Sequence, residues 1–116
     1  MNVLFVDDNT DTASLFTDLA MAWGHTARAA NSALEALSLS RTCAWDLVFL
    51  DVLIGNDDGV SLGRKIRGLA EPRRVRLVAI SGDAESRGRC EASNFDGFLL
   101  KPVSISDLQG WFDSRQ

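Results

Sequence analysis

Four apolar runs in this chain each end on a residue type that handles phosphate or metal. Asp7 and Asp8 follow Val3-Leu4-Phe5-Val6, and Asp51 follows Leu47-Val48-Phe49-Leu50. Ser81 follows Val78-Ala79-Ile80, and Lys101 follows Phe98-Leu99-Leu100. Three carboxylates drawn to one place repel: two unit charges about 4 Å apart cost roughly 4 kcal/mol at an effective dielectric of about 20. A hard divalent cation with oxygen ligands relieves that repulsion. Mg2+ characteristically takes one or two carboxylates, several waters and a phosphate. A zinc-type site lacks its ligands: His25 is the only histidine, and Cys43 and Cys90 show no C-x-x-C or Cys/His spacing. Metal, lysine, hydroxyl donor and carboxylate nucleophile are together the parts that hold a phosphoryl group on a carboxylate.

These residues act together only if the fold gathers them. Val3 to Val6 reads as a buried strand. Thr10 to Trp23 reads as a helix with Leu15, Phe16, Leu19 and Trp23 on one apolar face, ended by Gly24. His25 to Ala30 is a weaker strand, and Ser32-Ala33-Leu34-Glu35 is a capping box opening a helix to about Thr42. Asp46 to Asp51 is the strongest strand signal. Asp58 to Gly68 follows as a helix, with Val60, Leu62 and Ile66 apolar. Val75 to Ile80 is a strand, Ala84 to Ala92 a short, poor helix, Gly97 to Leu100 a strand and Ser104 to Asp113 a last helix. Strand and helix thus alternate five times, which predicts an α/β fold: a doubly wound, five-stranded parallel sheet covered on both faces. Sites in such sheets form at the carboxyl ends of the strands. Strands one, three, four and five all deliver polar groups there.

On these residues the chain resembles the receiver domains of response regulators in two-component, histidine–aspartate signalling. The resemblance rests on VDDN (6–9), FLDVLIGNDDG (49–59), AISG (79–82) and DGFLLKP (96–102), and spans nearly the whole chain. It implies a flavodoxin-like (βα)5 receiver fold. Asp51 then corresponds to the phosphoacceptor, Asp8 and Asp51 to direct metal ligands, and Asp7 to an acid reaching the metal through water. The backbone carbonyl of Leu53 completes the metal set, which takes Mg2+, with Mn2+ as the alternative. Ser81 corresponds to the switch hydroxyl, Lys101 to the lysine that pairs with the phosphoryl group, and Phe98 to the aromatic switch. The Lys101-Pro102 bond is expected to be cis, which is chemically reasonable because Pro102 follows. The resemblance further implies a histidine kinase or phosphotransfer protein as donor. It implies a downstream protein partner that reads the surface of the fourth helix, fifth strand and fifth helix. The chain would be a switch and not a turnover enzyme.

Taken singly, each residue has a plainer reading. Asp7, Asp8 and Asn9 are good helix caps, Ser81-Gly82 is an ordinary turn pair, Lys101 suits a surface and Phe98 a core. The tryptophans and Met21 read as core or half-buried packing. Composition fits a single soluble domain over residues 1–116, with 46% apolar and 24% charged residues. The net charge of −4 argues against a dedicated nucleic-acid binder. Six basic residues between Arg64 and Arg76 face one acid, Glu71, and read as a solvated helix end and loop, or else as a docking patch for an acidic partner. No apolar run is long enough to span a membrane and no signal peptide precedes the first strand. The expectation is a cytoplasmic protein with reduced thiols, a native start at Met1, no attached output domain, and a monomer or weak dimer.

Three rivals fit less well. An aspartyl-nucleophile phosphohydrolase wants a second acid where Leu53 stands. A nucleotide-binding module wants a Walker A loop or G-x-G-x-x-G after the first strand. A receiver acting without phosphorylation has no need of the full acid set with Ser81 and Lys101. Three departures from the family pattern carry expectations of their own. Gly55 loosens the loop after Asp51. Leu53 is expected to shield an acyl phosphate and slow its hydrolysis. Phe95 is expected to enlarge an apolar patch near the output face.

Overall fold

A computed structural model describes residues 1–113. Five apolar stretches form one parallel sheet: β1 (Asn2–Val6), β2 (Thr26–Ala30), β3 (Leu47–Asp51), β6 (Arg76–Ser81) and β7 (Gly97–Leu100), in the order β2-β1-β3-β6-β7. Two further strands, β4 (Leu53–Ile54) and β5 (Asp57–Asp58), pair as a small antiparallel hairpin directly after Asp51. The helices are α1 (Thr10–Ala22), α2 (Ala33–Thr42), α3 (Gly59–Ala70), α4 (Arg87–Ala92) and α5 (Ile105–Asp113). From β1 the chain runs outward to β2, then returns past β1 to β3 and onward to β6 and β7. The reversal lies between β1 and β3, where open α/β sheets form their crevice.

Alternation along the strands divides the core in two. Leu4, Val6, Val48, Leu50 and Leu77 face α2 and α3 and pack on Ala36, Leu62 and Ile66. Val3, Phe5, Leu47, Phe49, Val78 and Ile80 face α1 and α5 and pack on Phe16, Ala20, Leu108 and Phe112. Because both faces are covered, the strands read as unbroken apolar runs.

Most element boundaries fall within two residues of the sequence reading. The differences have local causes. The buried stripe of α1 is Ala13, Phe16 and Ala20, while Leu15 is 54% exposed and Leu19 and Trp23 lie half-buried at its margin. The 3.6-residue period puts 13, 16 and 20 in line and turns 15 away. Met21 is likewise exposed. Ser81 is the last residue of β6 and does not follow it. The 53–58 hairpin was not anticipated, because two-residue strands have no period to read. The basic stretch is only partly solvated: Arg67 and Arg74 both pair with Asp96, and Arg73 pairs with Asp46. Phe95 packs against both the α2–α3 core and a small cluster with Val60, Ala79 and Cys90, and stays half-buried where it lines a surface cleft with Arg87 and Phe98. Gly63 makes room for it, since a Cβ there would meet the Phe95 ring.

Candidate functional site

The carboxyl edge of the sheet collects the residues that the sequence singled out. Asp7 leaves β1 and Asp51 ends β3, both buried, with exposed Asp8 beside them. One carboxylate oxygen from each lies within 4.8 Å of the others. Lys101 follows β7, and its Nζ stands 2.6 Å from Asp51 Oδ2 and 3.9 Å from Asp7 Oδ2. Asp8, Asp51, Ser81 and Lys101 all wall one open cleft of about 510 Å³.

Backbone donors fix the acids. Asn9 N–H donates to Asp7 Oδ1 at 2.9 Å, Leu53 N–H to Asp51 Oδ1 at 3.1 Å, and Gly55 N–H to Asp8 Oδ2 at 2.9 Å. The capping question resolves in favour of Asn9, whose side chain accepts from Thr12 N–H at 3.1 Å. Asp7 and Asp8 are therefore not used as caps for α1.

Three carboxylates against one lysine leave an excess of two negative charges. Burial first, then the neighbouring Asp51 and Asp8, raise the Asp7 pKa, and the Asn9 N–H and Lys101 offset this only in part. Burial pulls Lys101 down, yet the hydrogen bond and charge of Asp51, with Asp7 and Asp8, outweigh it and leave its pKa raised. Oxygen donors with a surplus of two charges suit a hard divalent cation and give no soft ligand for zinc.

Gly59 belongs to the site although the sequence reading gave it no role. Its N–H donates to the Val52 carbonyl at 2.6 Å, and a Cβ at this position would overlap the Asp51 backbone carbonyl. Only glycine lets α3 begin so close to the strand that carries Asp51. The signal was present as the last residue of the 49–59 stretch, but spacing alone does not distinguish a close approach from a turn. Asp58, just before it, caps α3 by accepting from Val60 N–H at 3.1 Å. It also accepts from the Ser61 hydroxyl at 2.9 Å and from Arg89 of α4 at 2.7 Å. Burial raises the Asp58 pKa, but these three donors prevail and hold it below the usual carboxylate range.

Ser81 and Phe98 belong to β6 and β7, beyond Asp51 from the other two acids. Ser81 is buried and its hydroxyl contacts Asp83 and Ser86. Phe98 is half-buried on β7, with the Arg87 guanidinium 4.8 Å from its ring centroid. Leu53 projects its side chain outward, 62% exposed. The Lys101-Pro102 peptide is cis, as expected. His25 lies at the opposite edge, near the amino terminus and against Phe112, away from the acids.

Comparison with known proteins agrees with this geometry. The family model for the response regulator receiver domain matches residues 3–112. Sensor histidine kinase RcsC of Salmonella typhi is 34% identical over 109 residues, which are 94% of this chain but only 12% of that protein. The polar-differentiation response regulator DivK of Brucella ovis is 31% identical over 111 residues, 90% of this chain and 86% of DivK. A CheY-like receiver domain from Methylobacillus flagellatus superposes with a TM-score of 0.90 at 28% identity, covering 100% of this chain and 98% of that one. A response regulator from Burkholderia pseudomallei, solved with a phosphorylated aspartic acid, a calcium ion and citrate, gives 0.85 at 25% identity over 94% of this chain and 64% of that one. An acid cluster and lysine at the switch point of a five-stranded parallel sheet, with a family match from the first strand to the last helix, make this chain a member of the response regulator receiver domain family.

Proposed function

We propose that the chain is a phosphoacceptor switch that takes a phosphoryl group onto Asp51 from a phosphohistidine on a histidine kinase or phosphotransfer protein. The observation that carries this reading is the Asp51 carboxylate, held by Leu53 N–H on one oxygen and by Lys101 on the other, within a cluster of three acids. The Burkholderia response regulator with its phosphorylated aspartate and calcium supports both acceptor and metal.

A carboxylate oxygen of Asp51 attacks phosphorus. The bond from phosphorus to the donor's imidazole nitrogen breaks, and its electron pair stays on that nitrogen. Lys101 balances charge on the phosphoryl oxygens from the side where it now meets Asp51. Asp8 and Asp51 would hold Mg2+, or Mn2+, directly, with Asp7 acting through a water and Leu53 through its backbone carbonyl. When bound, the ion adds positive charge beside the phosphoryl oxygens. Ser81 then donates its hydroxyl to a phosphoryl oxygen, and Phe98 turns into the space left behind. The surface of α4, β7 and α5 changes, and a downstream protein partner reads it. Phosphorylation acts by shifting two existing states, to the extent that it favours one over the other. The chain accepts one group and does not turn over an external substrate. We assign it to the cytoplasm, where Cys43 and Cys90, both unpaired, stay reduced. It acts as a monomer or weak dimer, with neither nucleic acid nor membrane as partner. Among the described residues no helix is long and apolar enough to cross a membrane.

Intact-mass spectrometry after incubation with a small acyl phosphate tests this reading. One added phosphoryl group that requires Mg2+ and is absent from Asp51→Asn is the expected result. An unmodified wild-type chain, or modification that persists in Asp51→Asn, would reject it. Exposed Leu53 shields the aspartyl phosphate from water, so Leu53→Asn and Leu53→Lys shorten its lifetime. Lifetimes equal to wild type would remove that role.

A further inference from the structure

Both switch side chains are held by one short turn. A serine hydroxyl donates one proton and accepts up to two. Ser81 Oγ accepts from Asp83 N–H at 2.9 Å, and lies 3.2 Å from the Asp83 carbonyl and 3.3 Å from Ser86 Oγ. A carbonyl only accepts, so with all three bonds made Ser81 gives its proton to Asp83 and Ser86 donates to Ser81. The hydroxyl is then fully used inside a buried residue. It keeps no proton for a phosphoryl oxygen until this set opens.

Ser86 sits in a 3-10 turn that runs straight into α4, in helical backbone conformation, and the side chain that caps this turn is Asp83, which accepts from Glu85 N–H at 2.9 Å. The Ser86 hydroxyl makes no capping bond and meets Ser81 instead. The next residue, Arg87, lies over Phe98 at 4.8 Å, inside the ~6 Å range of a cation–π contact. Among the described residues Arg87 forms no ion pair, so the ring is its side-chain partner. One hydroxyl and one guanidinium on adjacent residues thus reach the two groups assigned to the switch.

We propose that Ser86 and Arg87 form a clasp: they are positioning residues that hold Ser81 and Phe98 in the resting arrangement and release them together. The proposal rests on the phosphoacceptor reading for its purpose, and on this geometry for its existence. If the resting state predominates, weakening it raises the fraction of chains able to accept a phosphoryl group by the same factor. Ser86→Ala should raise the rate of phosphorylation by acyl phosphate and Mg2+ about two- to tenfold, the range of one hydrogen bond. Arg87→Ala should raise it about two- to fivefold, the range of an exposed cation–π contact. The double variant should fall short of the product of the two, because either change opens the same turn. Ser86→Thr keeps a hydroxyl and should behave as wild type.

A second readout needs no phosphoryl donor. Ser86→Ala should move the NMR signals of the Phe98 ring along the same line as Arg87→Ala, although the two clasp residues touch different switch groups. Wild-type rates in both single variants, or Phe98 signals unmoved by Ser86→Ala, would overturn the clasp. A wild-type chain that accepts no phosphoryl group would instead reject the functional reading, and the ring signals alone would then decide whether the clasp exists.

Discussion

The two sides of the cleft are built to different standards. On the acceptor side, every residue of β3 is buried, and so are four of the five in β1. On the switch side, β6 is buried in five of its six residues, but in β7 Gly97, Phe98 and Leu99 are half-buried and Leu100 is exposed. Position explains part of this: β3 lies between β1 and β6, whereas β7 is an edge strand. The aromatic residues sharpen the contrast. Phe49 stacks on Phe5 at 5.1 Å and on Phe112 at 5.8 Å, while Phe98 meets the Arg87 guanidinium and has a small cluster beneath it. A nucleophile must be held still relative to the metal and lysine that serve it. A reporting surface must have a second arrangement within reach. The packing distributes rigidity accordingly.

The largest expected effect tests that distribution directly. Phe49→Ala removes a ring from the middle of a close-packed core and should cost about 3–5 kcal/mol in urea unfolding. Phe98→Ala removes a half-buried ring and should cost about 1 kcal/mol, near half the value for burying a whole side chain. Comparable costs would erase the distinction between the two sides.

The next effect concerns the acids. Mg2+ at about one hundred times its dissociation constant should stabilise the chain by about 2.7 kcal/mol, seen as a raised thermal midpoint. Asp8→Asn should lose most of that gain. Without metal, the same variant should be at least as stable as wild type. It removes one of three mutually repelling charges, and an amide oxygen can still accept from Gly55 N–H. A metal-free Asp8→Asn that is clearly weaker would mean that Asp8 serves the fold more than the site.

The same contrast explains how much was legible in the sequence. The acceptor side was readable because buried parallel strands leave unbroken apolar runs, and the residues just past them are fixed at the sheet edge. Asp7, Asp8, Asp51, Ser81 and Lys101 needed only that rule. Phe98 was found through family resemblance, but the residues that hold Ser81 and Phe98 were not. Nothing in the spacing of Ser86 and Arg87 announces that one meets a hydroxyl and the other a ring. Those contacts depend on a 3-10 turn over Ala84–Ser86 that rotates the following residues. Gly59 escaped for a similar reason, since close approach is a tertiary fact. Leu15 was misplaced because a helix reads its apolar residues only to within a step of its period.

Stability within the molecule should follow the same division. The helix α4 has six residues, entered from a 3-10 turn that Asp83 caps, with Gly88 near its start and Cys90 as its only buried residue. An interior glycine costs about 1 kcal/mol relative to alanine. By contrast, α3 is twelve residues long, is capped by Asp58, and buries Val60, Leu62 and Ile66. Native-state hydrogen exchange in Ala84–Ala92 should therefore be the fastest of any helix, by about tenfold or more over α3, which is about 1.4 kcal/mol in opening free energy. Equal protection across the helices would mean that α4 is braced by contacts stronger than those its length suggests.

A bond from α4 to the cap of α3 gives the smallest and most discriminating effect. Arg89 of α4 reaches Asp58, the cap of α3 in the hairpin strand that follows the acceptor. Asp58→Ala removes both the cap and the crossing, and should cost about 1 kcal/mol, mostly through the cap. Arg89→Ala removes the crossing alone. Its partners are 58% and 40% exposed, so it should cost about 0.5 kcal/mol or less. Global unfolding would barely register that loss, but exchange in α4 would speed up while exchange in α3 would not. If Arg89→Ala instead cost as much as Asp58→Ala, the crossing would be a brace. On the proposed function, the helix that has to move would then be pinned to the strand that has to stay, and the division of rigidity between the two sides would fail at this contact.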